Sequence, residues 1–244
     1  MQDSRPDISQ APRETVGFGG LGAKLNWLRA AVLGANDGVV SGAGITIGVA
    51  AADPANLSAI TLAGMAGLLA GAAAMAMGEY VSVSSQRDTE EALISRERHD
   101  LEHTPDEEFE ELVAVYQGQG LSEATARTVV EELTAHNMLA AHLRAEFGVH
   151  QEELTTPWHA ALASAISFTA GFLLPLLSML VCPAGLRIPV TVVVGLVGLF
   201  ITGWISAVIS GSPKIRPILR NVVGGSIAML LTWSISRFFG VGAG

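Results

Sequence analysis

The stretch GANDGVVSGAG, residues 34–44, decides how the rest of the chain is read. It sits in a run, 27–52, whose only ionisable side chain after Arg29 is Asp37. A lone carboxylate in an apolar helix is costly unless it is paired, protonated or facing a polar cavity. The glycines around it show what kind of helix this is. Gly34, Gly38 and Gly42 recur every fourth residue and so share one helix face, and Gly67 and Gly71 repeat the spacing in the next apolar run. Gly weakens soluble helices, but membrane helices use such small-residue stripes to bring backbones together. Residues 34–44 therefore read as the interior of a membrane span with a tight seam on one side.

The composition agrees. Of 244 residues, 50% are hydrophobic and only 15% are charged, against roughly a quarter charged in soluble domains. All six histidines fall between His99 and His159, and no Asp or Glu follows Leu154. A bilayer crossing takes about twenty apolar residues. Five runs qualify: 27–52, 57–83, 158–181, 188–210 and 215–239. Asp53-Pro54, Cys182-Pro183-Ala184-Gly185 and Gly211-Ser212-Pro213 supply turn chemistry between them. The expected fold is an all-α integral membrane protein with five transmembrane helices and a three-helix cytoplasmic domain between spans two and three. Its expected divisions are a disordered cytoplasmic tail (1–24), spans one and two (25–86), the helical insert (87–156) and spans three to five (157–244). The polar, proline-bearing tail has no short apolar core of the signal-peptide kind. The single Cys182 reads as a small apolar filler.

Basic residues orient the spans. Alternate sides carry twelve and two of the 14 Lys and Arg residues, which puts the N-terminus and the insert on the cytoplasmic side. The net charge of −9 is carried by the insert, so nucleic acid is not an expected partner.

Asp37 falls about 15 Å into the first span at 1.5 Å per residue, near mid-membrane. Met75 and Glu79 lie one turn apart in the second span, and Ser82 and Gln86 continue their stripe. No Lys or Arg is expected at matching depth to neutralise Asp37 and Glu79, which points to a mobile cation or a proton as the missing charge. Hard carboxylates together with a thioether suit Fe(II) or Mn(II) better than Mg(II) or Ca(II). The alternatives are a protonated Asp37 hydrogen-bonded across a seam, Met75 as core filling, and Glu79 reaching out to the interface.

The insert reads as three helices, broken at Pro105 and at Gly118-Gln119-Gly120, the third running from the cap at Ser122 to about Gly148. Most of the chain's 23 acidic residues fall in this segment, and a solvated face accounts for many of them. Three pairs are sharper: Glu97 with Asp100, Glu108 with Glu111, and His142 with Glu146, each on one helix face. Carboxylates and an imidazole converging from several helices form the kind of site that holds iron or manganese in helical bundles.

NDGVVSGAGITIGVAAA in the first span, MAMGEYVSVSSQRDTEEALISRERHDLE leaving the second, and TPWHAALASAISFTAGFLLPLL opening the third together resemble the vacuolar iron transporter family. The resemblance runs from about Leu25 over nearly the whole chain. It implies five spans, a cytoplasmic metal-binding insert, a homodimer, and export of Fe(II), often also Mn(II), in exchange for protons. It implies Asp37, Met75 and Glu79 as metal-path residues, and Glu97, Asp100, Glu108, Glu111 and Glu146 as insert ligands. The chain departs from the plant members at Gly67, where they carry an acid, at His142 and Leu143, where they carry two methionines, and at Asp100, where Glu is usual.

The leading expectation is a transporter for Fe(II), with Mn(II) and Zn(II) as further candidates and no organic cofactor. Its expected setting is the bacterial inner membrane, with the lipid bilayer, protons and a second copy of the chain as partners. A membrane-anchored metal sensor or buffer, and a ferroxidase-type enzyme, are the competing readings.

Overall fold

The computed structural model describes residues 21–149 and 156–240, and every regular element among them is an α-helix. There are seven: α1 (Leu21–Ala52), α2 (Leu57–His103), α3 (Pro105–Gly118), α4 (Glu123–Glu146), α5 (Pro157–Val181), α6 (Arg187–Ser210) and α7 (Ile215–Gly240). Five contain stretches long and apolar enough to cross a membrane: α1, α2, α5, α6 and α7. The protein is an all-α integral membrane protein, as its composition requires. The expected tail lies outside the described residues up to residue 20, with helix from Leu21 onward, and residues 150–155, which join the insert to the third span, are also outside them.

The seam marked by the glycine stripe is real, and its partner is α5. A Cβ on Gly34 would lie 2.6 Å from the Ser164 carbonyl oxygen, and one on Gly42 would lie 2.9 Å from that of Phe172. Gly38 meets the Phe168 carbonyl oxygen, and Gly171 on α5 answers by abutting that of Ala35. Small residues on both helices thus let the two backbones touch, and α1 packs more extensively on α5 than on any other helix. Gly67 and Gly71 on α2 make room for Ile45 and for the Phe168 ring. On the other side of α1, Val39, Ala43 and Ile47 pack with Met179, Leu199 and Met229 from α5, α6 and α7.

Two loops are clamped by one arginine. Arg187, a basic residue counted above only for its sidedness, is buried. Its guanidinium donates to the Pro54 carbonyl and, over 3.1 Å, to the Cys182 carbonyl. It satisfies the end of α5 and ties the α1–α2 turn to the α5–α6 turn.

The 47 residues of α2 would extend about 70 Å, more than twice the hydrocarbon thickness. The helix therefore continues unbroken past residue 87 and serves as the first helix of the insert. It stops at Thr104, whose backbone N–H and hydroxyl both donate to the Asp100 carbonyl, and Pro105 opens α3. The two following helices pair through Leu112, Val113, Ala126, Val130 and Ala141. Arg127 grips both oxygens of Glu110, at 2.6 and 2.7 Å, across that pair. One expectation needs correcting: the third insert helix is not continuous. Asn137 takes a non-helical φ of −161° and ψ of 96°, and its side chain accepts from the Ala140 N–H at 3.1 Å. It acts as an N-cap inside α4 and starts a separate short helix that carries His142 and Glu146.

Candidate metal centre

Glu97 from α2, Glu108 from α3, and His142 and Glu146 from α4 meet inside the insert. One donor atom from each lies within 4.8 Å of all the others. The His142 Nδ1 is 3.0 Å from Glu97 Oε1, 3.0 Å from Glu146 Oε1 and 3.8 Å from Glu108 Oε2. The imidazole is fully buried and Glu97 is only 4% exposed. Each side chain arrives by its helix's own pattern. Glu108 stands one turn from Leu112, and His142 follows Ala141, so the residues that bury the α3–α4 seam also turn these donors inward.

Three carboxylates around one ring nitrogen repel one another unless a proton or a cation lies among them. Burial, reinforced by Glu146, pushes the Glu97 carboxyl up to about 7 against the opposing pull of His142. Burial, with Glu111 and Glu108, pushes Glu146 to about 7 as well, and burial and Glu111 raise Glu108. Within the cluster, Glu97 Oε1 accepts no well-aligned hydrogen bond despite its 3.0 Å approach to His142 Nδ1, and the buried His142 Nε2 has no partner. Converging oxygens, an imidazole nitrogen and an orphaned carboxylate oxygen form a donor set that fits Fe(II), Mn(II) or Zn(II), which accept mixed N/O ligation.

The six insert candidates thus divide. Asp100 is half-buried and lies 3.5 Å from Arg96, and Glu111 is exposed. Both stand outside the four-residue group, though each raises the Glu108 carboxyl electrostatically.

In the membrane half, Asp37 is half-buried and accepts from the Ser41 hydroxyl at 3.3 Å. Met75 packs against the cluster of Leu68, Phe168, Phe172 and Leu176. Gly38, beside Asp37, touches the Phe168 backbone, and Gly71, one turn before Met75, touches the Phe168 ring. Phe168 thus touches α1 one residue from Asp37 and α2 one turn from Met75. Glu79 overturns an expectation, because it does have a basic partner: Arg29 donates to its Oε1 at 3.1 Å. The sequence reading treated Arg29 only as a flanking charge. Packing of α2 beside α1 brings the two to one level, near the Tyr80–Trp158 ring pair, whose centroids are 4.8 Å apart. Such aromatics favour the membrane–water boundary.

A further polar chain escaped the sequence reading. Asn221 on α7 donates to the Thr202 hydroxyl on α6 at 3.4 Å; the one proton of that hydroxyl goes to the Leu199 carbonyl of its own helix at 3.0 Å, with Asn36 Oδ1 at 3.5 Å as a longer, competing acceptor. Polar groups of two other spans thereby approach the position next to Asp37. Its one sequence signal was three amide or hydroxyl residues within apolar runs.

The VIT family sequence model matches residues 28–237. A protein of Acanthamoeba castellanii named vacuolar iron transporter is 38% identical over 207 residues, covering 84% of this chain and 76% of that protein. Vacuolar iron transporter homolog 1 of Oryza sativa subsp. japonica is 36% identical over 220 residues, covering 90% and 76%. Vacuolar iron transporter homolog 2 of Arabidopsis thaliana is 34% identical over 216 residues, covering 88% and 85%. With the membrane bundle, the insert and these likenesses spanning nearly its full length, the chain belongs to the VIT family.

Proposed function

We propose that the chain transports Fe(II), with Mn(II) as a second substrate, out of the cytoplasm in exchange for protons. The observation that carries this reading is the four-residue donor cluster on a helix that runs directly into a membrane span. A sensor would not need the acids Asp37 and Glu79 within its anchor, and the relatives bear transporter names.

In this reading the insert concentrates the metal ion at Glu97, Glu108, His142 and Glu146. With carboxyl groups near 7, binding releases protons close to neutral pH, and proton uptake favours release of the metal. The ion then passes Glu79, displacing Arg29 as its counter-charge, and reaches Asp37 and Met75. Asp37 alternates between metal and proton, which gives exchange from one site with two occupants. Asp100 and Glu111 serve as outer carboxylates that steer cations toward the cluster. The distribution of basic residues supports a cytoplasmic N-terminus and insert; a bacterial inner membrane as the setting belongs to the same proposal, and a homodimer as the working form is what the family resemblance implies.

The test uses the purified full chain in proteoliposomes with a pH-sensitive dye inside. Asp37→Asn is expected to abolish Fe(II)-driven proton movement while metal binding at the insert persists. Undiminished proton flux in that variant would remove Asp37 from the path.

A further inference from the structure

We propose that His99 and His103 form a second transition-metal site, separate from the four-residue cluster, that takes a borderline cation such as Ni(II), Zn(II) or Cu(II). The two residues are four apart on α2 and so share one face of the helix. Their rings lie against each other, with centroids 4.0 Å apart and planes at 35°. Both are exposed, which leaves the remaining coordination positions to water.

The orientation of the His103 ring fits a ligand as well. Nδ1 of His103 lies 2.7 Å from the His99 carbonyl oxygen. A carbonyl can only accept, so Nδ1 carries a proton in this contact, and in the neutral ring the lone pair then sits on Nε2. A metal-bound histidine has this arrangement, with one ring nitrogen donating to a backbone carbonyl and the other facing the cation.

The site cannot be an extension of the first. At 100° per residue, His99 stands about 200° around α2 from Glu97. Glu97 faces the bundle interior while the histidines face solvent. The donor types differ as well. The inner cluster is mostly carboxylate, and the outer pair is all imidazole, which ranks Ni(II), Cu(II) and Zn(II) above Mn(II). Glu102, Asp106 and Glu107, all exposed and within four residues of His103 in sequence, add negative charge that raises the local cation concentration. The insert would then carry two sites of different preference, an inner carboxylate-rich one that accepts Fe(II) and Mn(II) and an outer all-imidazole one that favours Ni(II) or Cu(II).

The experiment titrates Ni(II), and separately Mn(II), into the detergent-solubilised full chain after removal of any affinity tag. Wild type is compared with His99→Gln, His103→Gln, the double variant, and Glu97→Gln/Glu146→Gln. The expected result is that each single histidine variant loses the same one equivalent of Ni(II) as the double variant. Mn(II) binding should stay unchanged in all three, which also reports an intact fold, and the carboxylate variant should keep the Ni(II) equivalent. Identical Ni(II) stoichiometry in wild type and the double variant would overturn the proposal, as would full retention after either single change. The outcome does not depend on whether the chain transports metal.

Discussion

Arg29 on α1 and Glu79 on α2 meet at 3.1 Å, with the arginine side chain 59% exposed and the carboxylate only 10%. The acid is largely buried and the base largely exposed, which suits a counter-ion that can be displaced from outside the bundle. On the proposed path, a divalent ion at Glu79 competes with this guanidinium. Arg29→Gln should therefore lower the metal concentration for half-maximal transport about two- to fivefold, matching the roughly 0.5–1 kcal/mol of a partly exposed pair. Initial rates in proteoliposomes check this. An unchanged half-saturation with a lowered maximal rate would mean that the pair only clasps α1 to α2.

The inner cluster should bind metal in a strongly pH-dependent way. Glu97 and Glu146 have folded-state values near 7, above the ordinary carboxylate range. For a carboxyl raised by folding, stability is greatest while the group stays protonated and is lost as pH rises through the folded value. Without metal, protection of the insert against hydrogen exchange should be fullest below about pH 4.5, the ordinary carboxylate value, fall as pH rises through about 7, and level off above it. Metal reverses the sign, since it binds the ionised form. Apparent Mn(II) affinity should rise over the same window, by up to about tenfold per pH unit for each proton displaced. An affinity flat across neutral pH would show that these carboxyls hold no exchangeable protons when the metal arrives.

The α1–α5 seam gives a packing test with an internal control. A methyl group at Gly38 would enter the backbone of α5 at Phe168, whereas one at Gly44 would meet only the Thr232 side chain, its Oγ1 at 3.5 Å and its Cγ2 at 4.0 Å, ordinary contacts. Gly38→Ala should destabilise the protein by about 1–3 kcal/mol, the range for overpacking a core. Gly44→Ala should be neutral. Thermal unfolding in detergent separates the two, and equal midpoints would show that the helices can part without loss.

Why was so much of this fold readable and part of the site not? The spans and their glycine seam follow from solvent: lipid demands apolar runs, and close helix approach demands small residues at a fixed spacing. Both leave periodic marks in the sequence. The four-residue cluster was half readable, because inward-facing carboxylates share the spacing of solvated ones. What selects Glu108 over Glu111 is which side of α3 packs on α4, a tertiary fact decided by Leu112 and Val113. The partnership of Arg29 with Glu79 and the chain from Asn36 to Asn221 depend on how helices distant in sequence align, and no local pattern records that. The break at Asn137 was hidden because Asn within a helical run is only mildly unfavourable.

That break offers the most specific prediction about the cluster. Residues 138–146 form their own short helix, which sets where His142 and Glu146 point, and the Asn137 side chain caps it at the Ala140 N–H. Alanine at 137 removes the cap, worth about 1 kcal/mol, and also favours helical backbone, which would straighten α4 and swing both donors away from Glu97 and Glu108. Asn137→Ala should weaken Mn(II) binding to the full chain about fivefold or more, while Asn137→Asp and Asn137→Ser, which keep the capping oxygen, should restore most of it. Calorimetric titration of the three variants reads this directly. If serine and alanine weaken binding equally, the cap is not what aims the donors, and the geometry of the cluster must come from the α3–α4 packing alone.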